Sequence, residues 1–364
     1  MIKILHGADF HLDSPFESLP EEKAAARRAE QRQLLERVVQ IAVDEKVDAV
    51  LLSGDLLDSG HCYYETSEAL QRAFENIPAP VIIAPGNHDY YSPKSPWAIL
   101  KFPENVHIFT SSVPERIVLE GKQCSIWGAA FTDNASEQIL KAMPKLNDDT
   151  INIMALHGSM LSPGDKYNPI SEEDVLRAGL DYLALGHVHT YSGMNKLGNT
   201  YWAYPGTPEG RGFDETGEKG IIIAEVSKSG VSHKFVPTSK RKYEILKVNL
   251  TGVNDAENAV IAALPGGTRD DIYRIILTGE YEGDMDLGKL EEAISDNFYH
   301  ITVRDNTTLK KNIWSQAEED SLRGLFLRKM RQEYEQANDI EKEKIVLAIR
   351  YSLSAMEHGE EWRM

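Results

Sequence analysis

Cysteine is nearly missing from this chain. Cys62 and Cys124 are far apart and form no Cys-x-x-Cys pair, which argues against a disulfide framework and points to a reducing compartment. Long apolar runs are missing too, so no membrane span is expected. The opening strand reaches a candidate ligand at Asp9, leaving no room for a cleaved leader, and the cytoplasm is the expected location. Basic charge is also in deficit. Against 57 acidic residues stand 39 basic ones, a net charge of -18, so the chain lacks the basic footprint usual in nucleic-acid binders. Its small basic groups, Lys240-Arg241-Lys242, Lys310-Lys311 and Arg328-Lys329 with Arg331, read as solvated faces rather than a phosphate track. With 364 residues and 41% hydrophobic content, the chain has the material for two or three domains with a substantial core.

Aspartate, histidine and glycine, by contrast, recur in an ordered set of short motifs: Asp9-Phe10-His11, Gly54-Asp55-Leu56-Leu57-Asp58, Gly86-Asn87-His88-Asp89, His157-Gly158-Ser159 and Gly186-His187-Val188-His189. Each alone is commonly a turn, a cap or a polar loop. Together they supply carboxylates, imidazoles and one carboxamide, a donor mix suited to manganese, iron or zinc. They also sit where strands should end. Residues 3–8, 49–53, 81–84, 151–156 and 182–185 are short, continuous apolar runs, as expected of central strands covered on both faces. Ligands in such α/β proteins gather beyond the carboxyl ends of the strands. The set therefore reads as a pocket for two metal ions that holds a phosphate and activates water.

Around these strands the periodicity predicts helices over 21–46, 64–76 and 136–146, and a group of strands over 106–131. Residues 165–170 read as a loop edging the site, and short strands alternate with glycine turns over 191–250. Strands flanked by helices suggest two sheets packed inside helical layers. Near residue 241 a second unit begins, with strands over 245–250, 272–278 and 300–303 alternating with helices over 255–264 and 287–294. From Ser315 two amphipathic helices follow, one carrying Leu322, Leu325, Phe326 and Met330, the other Ile345, Ile349, Leu353 and Met356. Such helices fold onto their own chain or lay an apolar face against a partner; self-packing is the favoured reading.

The ordered motifs resemble those of the calcineurin-like metallophosphoesterases. The segments His6-Gly7-Ala8-Asp9-Phe10-His11-Leu12-Asp13-Ser14-Pro15-Phe16 and Tyr204-Pro205-Gly206-Thr207-Pro208-Glu209 are similar to the SbcD-type branch of DNA-repair nucleases, in particular its YhaO-like members. The resemblance covers the chain to about residue 225. It implies an α/β fold, a four-layer α-β-β-α sandwich, with a phosphoesterase domain over 1–240, a small α/β capping domain over 241–312 and a helical segment over 313–364. By that resemblance Asp9, His11 and His189 hold one ion, Asn87, His157 and His187 hold a second, and Asp55 bridges both. The ions, typically manganese with iron or zinc as alternatives, would lie roughly 3.5–4 Å apart. A bridging hydroxide would attack phosphorus in line. His88 would face the scissile phosphate, stabilising the transition state or protonating the leaving alkoxide, and Asp89 would orient the His88 imidazole. Arg211 reads as an exposed loop arginine, with a phosphate contact as the alternative. The resemblance further implies DNA as substrate, exonuclease activity in double-strand-break repair, an SbcC-like ATPase docking on the C-terminal helices, and a homodimer whose face the sequence does not identify. Two departures stand out. Asp13-Ser14-Pro15 replaces the glycine common after the first His-Leu, and Asp58 stands where relatives often carry histidine, a position linked to the handling of DNA ends. Cleavage polarity and the exonuclease label are therefore not carried over. A phosphatase or phosphodiesterase acting on nucleotides or other small phosphate esters is the alternative reading, and the acidic charge leans toward it. An adaptor with a purely structural metal core is a third, opposed by the intact His88-Asp89 pair.

Overall fold

The computed structural model describes residues 1–146, 149–281, 285–308 and 311–357. The chain divides into two compact units, Met1–Lys242 and Tyr243–Met364.

In the first unit the apolar runs become two six-stranded sheets. One has the order Gly230–Pro237, Gly220–Ser227, Ile2–Gly7, Ala49–Leu52, Val81–Ile83, Val106–Ile108; the other has Asn195–Leu197, Thr200–Ala203, Tyr182–Gly186, Ile151–His157, Cys124–Gly128, Glu115–Val118. The centre of each is parallel; antiparallel pairing closes both edges of the second sheet and one edge of the first, whose other edge strand, Val106–Ile108, is parallel. Because side chains alternate along a strand, each central strand serves two cores. Leu5, Val50, Leu52, Val81 and Ile83 meet Leu34, Leu35, Val38 and Ala42 of the helix Glu21–Glu45 and Leu70 and Phe74 of the helix Tyr64–Glu75. Ile4, Leu51 and Ile82 face Ile126, Ile153 and Ala184 across the middle. On the far face Met154, Leu156, Leu183 and Leu185 pack on Val175 and Ala178 of the helix Glu172–Ala178. Helix, sheet, sheet, helix is the layering that results, as the sequence predicted.

Buried polar contacts cross the middle layer, those of His6 among them. His6 donates from Nε2 to the Leu185 carbonyl at 3.0 Å and accepts the Tyr182 hydroxyl at Nδ1, 2.9 Å away. Burial lowers its pKa to about 3, so the ring is neutral and both nitrogens are satisfied.

The expectation of a helix over 136–146 is corrected. Only a 3₁₀ turn, Ile139–Ala142, forms there. Ser136 is tied instead to the neighbouring loop, its amide donating to the Lys166 carbonyl at 3.0 Å, while the Asn168 side chain accepts the Ile139 amide at 2.8 Å. Within the 165–170 loop, Pro169–Ile170 pairs in parallel with Ser159–Met160.

The second unit has a parallel three-stranded sheet of Tyr243–Asn249, Ile272–Thr278 and His300–Asp305, with the helices Ala256–Ala263 and Leu287–Ile294 between its strands. Their shared core includes Val248, Val260, Ile275, Leu290 and Val303. The helices Leu322–Gln336 and Asp339–Glu357 bury Leu327, Ile349 and Leu353 together with Ala317, while Phe326, Met330 and Ile345 pack alongside. Leu322, Leu325 and Met356 of the expected stripes are exposed. Lys310 lies outside the described residues. Among those described, no helix is long and apolar enough to cross a membrane.

Candidate metal centre

Backbone pairing brings the first two motifs together. Beyond the adjacent strands Ile2–Gly7 and Ala49–Leu52 the loops stay zipped: the amides of Asp9, His11 and Leu12 donate to the carbonyls of Gly54, Asp55 and Leu56 at 3.0, 2.9 and 2.8 Å. Asp9, His11 and Asp55 all have positive φ, at 54°, 43° and 51°, and His187 has φ 112°. Such conformations are costly for residues with a Cβ and concentrate where side chains must be aimed. Gly54 has φ 87°, and a Cβ there would lie 2.5 Å from His157 Nδ1. A Cβ on Gly186 would run into the Ser53 carbonyl. At both positions only glycine fits.

Three overlapping groups of donors result among the described residues. Oxygen or nitrogen atoms of Asp9, His11 and His189 lie within 4.8 Å of one another, as do those of Asp9, Asp55 and His157 and those of His11, Asp58 and His88. Asp55 stands between the groups, its Oδ2 lying 3.8 Å from His11 Nε2 and 3.3 Å from His157 Nε2. Asn87 Oδ1 is 3.0 Å from His157 Nε2. The His187 ring lies 5.2 Å from that of His157, and its amide donates to both Asp9 carboxylate oxygens at 3.0 Å. Of the seven residues expected as ligands, Asp9, His11, Asp55, His157 and His189 fall within these donor groups, and Asn87 and His187 lie beside His157.

The outer nitrogens of three imidazoles are already occupied. His11 Nδ1 meets Asp58 Oδ1 at 3.1 Å, His157 Nδ1 meets the Ser53 carbonyl at 2.9 Å, and His189 Nδ1 meets Glu215 Oε1 at 2.8 Å. With Nδ1–H given away, Nε2 is left as an unprotonated donor facing inward, the usual arrangement of metal-ligating histidine. Nε2 of His11 and of His189 indeed face each other at 3.3 Å. Charge works against that neutral form at His157, where the carboxylates draw a proton onto the ring in the place a cation would take. Burial, with the nearby Asp55 charge, raises Asp9 to about 6. Burial would depress His157, yet the Asp55 carboxylate beside it raises it to about 9 and is itself held below the usual carboxylate range. Buried carboxylates crowded in this way are relieved by a dication. The donor set fits divalent metal.

Arg211 is not an exposed loop arginine. Its guanidinium is largely buried, reaching Asp58 Oδ1 at 3.1 Å and Glu215 Oε1 at 2.6 Å. It thus joins the two carboxylates that hold His11 and His189. Glu215 escaped the sequence reading; its only signal was an acid four residues past Arg211 in a glycine-rich loop.

His88 is exposed. Its amide donates to Asp55 Oδ1 at 2.9 Å, its ring lies 4.8 Å from that of His11, and its Nδ1 donates to the Asp58 carbonyl at 3.0 Å. The expectation that Asp89 orients this ring is corrected. Asp89 is fully buried and accepts the amides of Gly86, Asp55, Leu56 and Leu57 at 2.8, 3.2, 2.8 and 3.2 Å. Its carboxylate, raised to about 7 by burial and the neighbouring Asp55, staples the Asp55 loop to the Asn87 loop. The group that orients the imidazole is the Asp58 carbonyl.

An α/β sandwich with paired Asp and His clusters beyond its strand ends defines a metal-dependent phosphoesterase class. The family pattern of the calcineurin-like phosphoesterases matches residues 2–191, and the chain belongs to that family. It is 32% identical over 262 residues to an uncharacterized metallophosphoesterase, YhaO, of Bacillus subtilis, covering 69% of this chain and 64% of that protein. It is 24% identical to a subunit of the nuclease SbcCD from the same organism, over 62% of this chain and 66% of that one. With the DNA double-strand break repair protein Mre11 of Saccharolobus solfataricus it shares 26% identity, over 85% and 84% of the two chains. The matches to the two Bacillus proteins thus span just under two-thirds of their lengths.

Proposed function

We propose that this chain is a two-metal phosphodiesterase that cleaves DNA, as a repair nuclease working with an ATPase of the SbcC kind. The observation that carries this reading is the cluster of overlapping donor groups, with Asp55 between His11 and His157 and an exposed, anchored His88 at its edge. Similarity to a nuclease subunit and to a break-repair protein supports DNA over other esters.

Asp9, His11 and His189 would hold one ion, and Asn87, His157 and His187 the other, with Asp55 shared. Manganese is the proposed metal. When bound, the pair supplies Lewis acidity toward a phosphoryl oxygen and lowers the pKa of water. The chain's own residues do the rest. Asp58 and Glu215 fix the His11 and His189 rings. His88, its Nδ1 held by the Asp58 carbonyl, would contact the scissile phosphate through its other ring nitrogen and stabilise the transition state or give a proton to the leaving alkoxide. In the second unit Leu322, Leu325, Ile340, Leu347 and Tyr351 are exposed apolar side chains on the two terminal helices, which supports these helices as the ATPase dock.

Turnover of manganese-loaded protein on end-labelled duplex DNA and on a mononucleotide ester separates the readings. Cleavage of the duplex with the higher kcat/KM is expected. Hydrolysis of the mononucleotide ester alone, even with an SbcC-like ATPase added, would instead favour a small-ester phosphodiesterase, to which the net charge of -18 is better suited.

A further inference from the structure

Beside the metal centre lies an open cleft of about 510 Å³ that no step above uses, lined among others by Ser136, Gln138, Lys141, Asp165 and Lys166. That is the size of a site for a small organic ligand. Its two walls are one built unit. The Ser136 amide donates to the Lys166 carbonyl, and the Asn168 amide donates back to the Ser136 carbonyl at 2.9 Å. Asn168 then links the cleft to the catalytic side, its Nδ2 donating to the carbonyl of His157 at 2.7 Å. Ser159, two residues past His157, donates to Asp165 Oδ2 at 2.6 Å. Between cleft and centre stands one aromatic ring, Tyr167, 5.1 Å from the His187 ring on one side and under Lys166 Nζ at 4.9 Å on the other.

Lys141 and Lys166 are exposed on this cleft and, like Lys46, Lys94, Lys101, Lys145, Lys196 and Lys219 elsewhere in the unit, have no carboxylate partner among the described residues. Asp165 is held by the Ser159 hydroxyl and by the Tyr167 amide at 3.0 Å and keeps its charge, so the cleft sets two ammonium groups against the Asp165 and Glu137 carboxylates. Cations without a carboxylate partner beside a phosphoesterase centre, in a protein this acidic, are suited to a second phosphate.

We propose that the cleft is the subsite for the nucleotide next to the scissile phosphate on a polynucleotide strand, with Lys141 and Lys166 binding its phosphate and Tyr167 forming the step over which the strand passes. This rests on the nuclease reading and adds to it a requirement for a flanking phosphate.

Anisotropy of a labelled single-stranded oligonucleotide tests it directly, with the full chain carrying Lys141→Ala and Lys166→Ala. A double variant with Lys101→Ala and Lys247→Ala, two exposed lysines elsewhere, matches the change in net charge. The cleft variant should bind about tenfold more weakly at low salt, the sum of two partly exposed contacts. The slope of log Kd on log salt should fall by about 1.4, or about 0.7 per lost phosphate contact, and Lys→Arg at both positions should restore both quantities. A Kd and slope equal to those of the control variant would overturn the subsite while leaving the nuclease reading intact. A wild-type protein that neither binds nor cleaves DNA but hydrolyses small diesters would overturn both.

Discussion

At the scale of single residues, the inner face of the site depends on what holds its outer face. His11 and His189 can both present Nε2 because Asp58 and Glu215 occupy their other nitrogens. Glu215→Ala is therefore expected to weaken manganese binding about 10–100-fold with the fold retained, measured by calorimetry and circular dichroism. His88→Ala should keep full metal affinity and lose about 10²–10⁴-fold in cleavage rate; undiminished cleavage would remove His88 from the mechanism. The seven ligand candidates were legible because the chemistry requires particular residue types at strand ends. Their supports were not. Asp58 and Arg211 are 153 positions apart, and nothing local in either segment signals the contact. Asp89 was misread for a related reason: adjacency to His88 suggested a partner, but the loop turns its carboxylate inward onto four amides.

At the scale of elements, the helix Glu21–Glu45 is anchored by charge as well as by its apolar stripe. Arg27, fully buried, donates to Glu30 Oε2 at 2.6 Å and to Glu209 Oε1 at 2.5 Å, and Arg241 reaches the same Glu30 carboxylate at 2.7 Å. Removing Arg27 leaves the buried Glu209 carboxylate without its cation, so Arg27→Ala should cost about 3–5 kcal/mol, read from denaturant midpoints. Burial would raise the pKa of Glu30, but its hydrogen bonds from Arg241, Arg27 and Lys240 lower it to about 2. Because that value lies below the unfolded one of about 4.3, the contribution of Glu30 is complete above about pH 4.5 and disappears as pH falls toward 2. Glu30→Gln should accordingly flatten the acid limb of the stability profile, and an unchanged limb would count against the network. Helix positions were legible from their apolar spacing. The segment 136–146 was not, since its helical pattern gave way to Asn168 and Lys166, tertiary partners that periodicity does not encode.

For the whole molecule, the layering was readable because each continuous apolar run had to be covered on both faces. The first unit contains all the proposed ligands and three apolar cores of its own. Residues 1–242 alone are thus expected to fold and to bind manganese as the full chain does, checked by calorimetry on the truncated protein. Chelation should destabilise the first unit, because ions that bind only the folded site contribute about 2.7 kcal/mol at a hundredfold excess over Kd. An unchanged Tm with a chelator present would contradict that. The most direct test is the manganese stoichiometry of metal-stripped protein, measured by calorimetry in the wild type and in Asp55→Asn. Two ions per chain, with paired binding lost in the variant, is the predicted result. A single ion, or two bound equally well without the Asp55 carboxylate, would contradict a dinuclear centre bridged by Asp55.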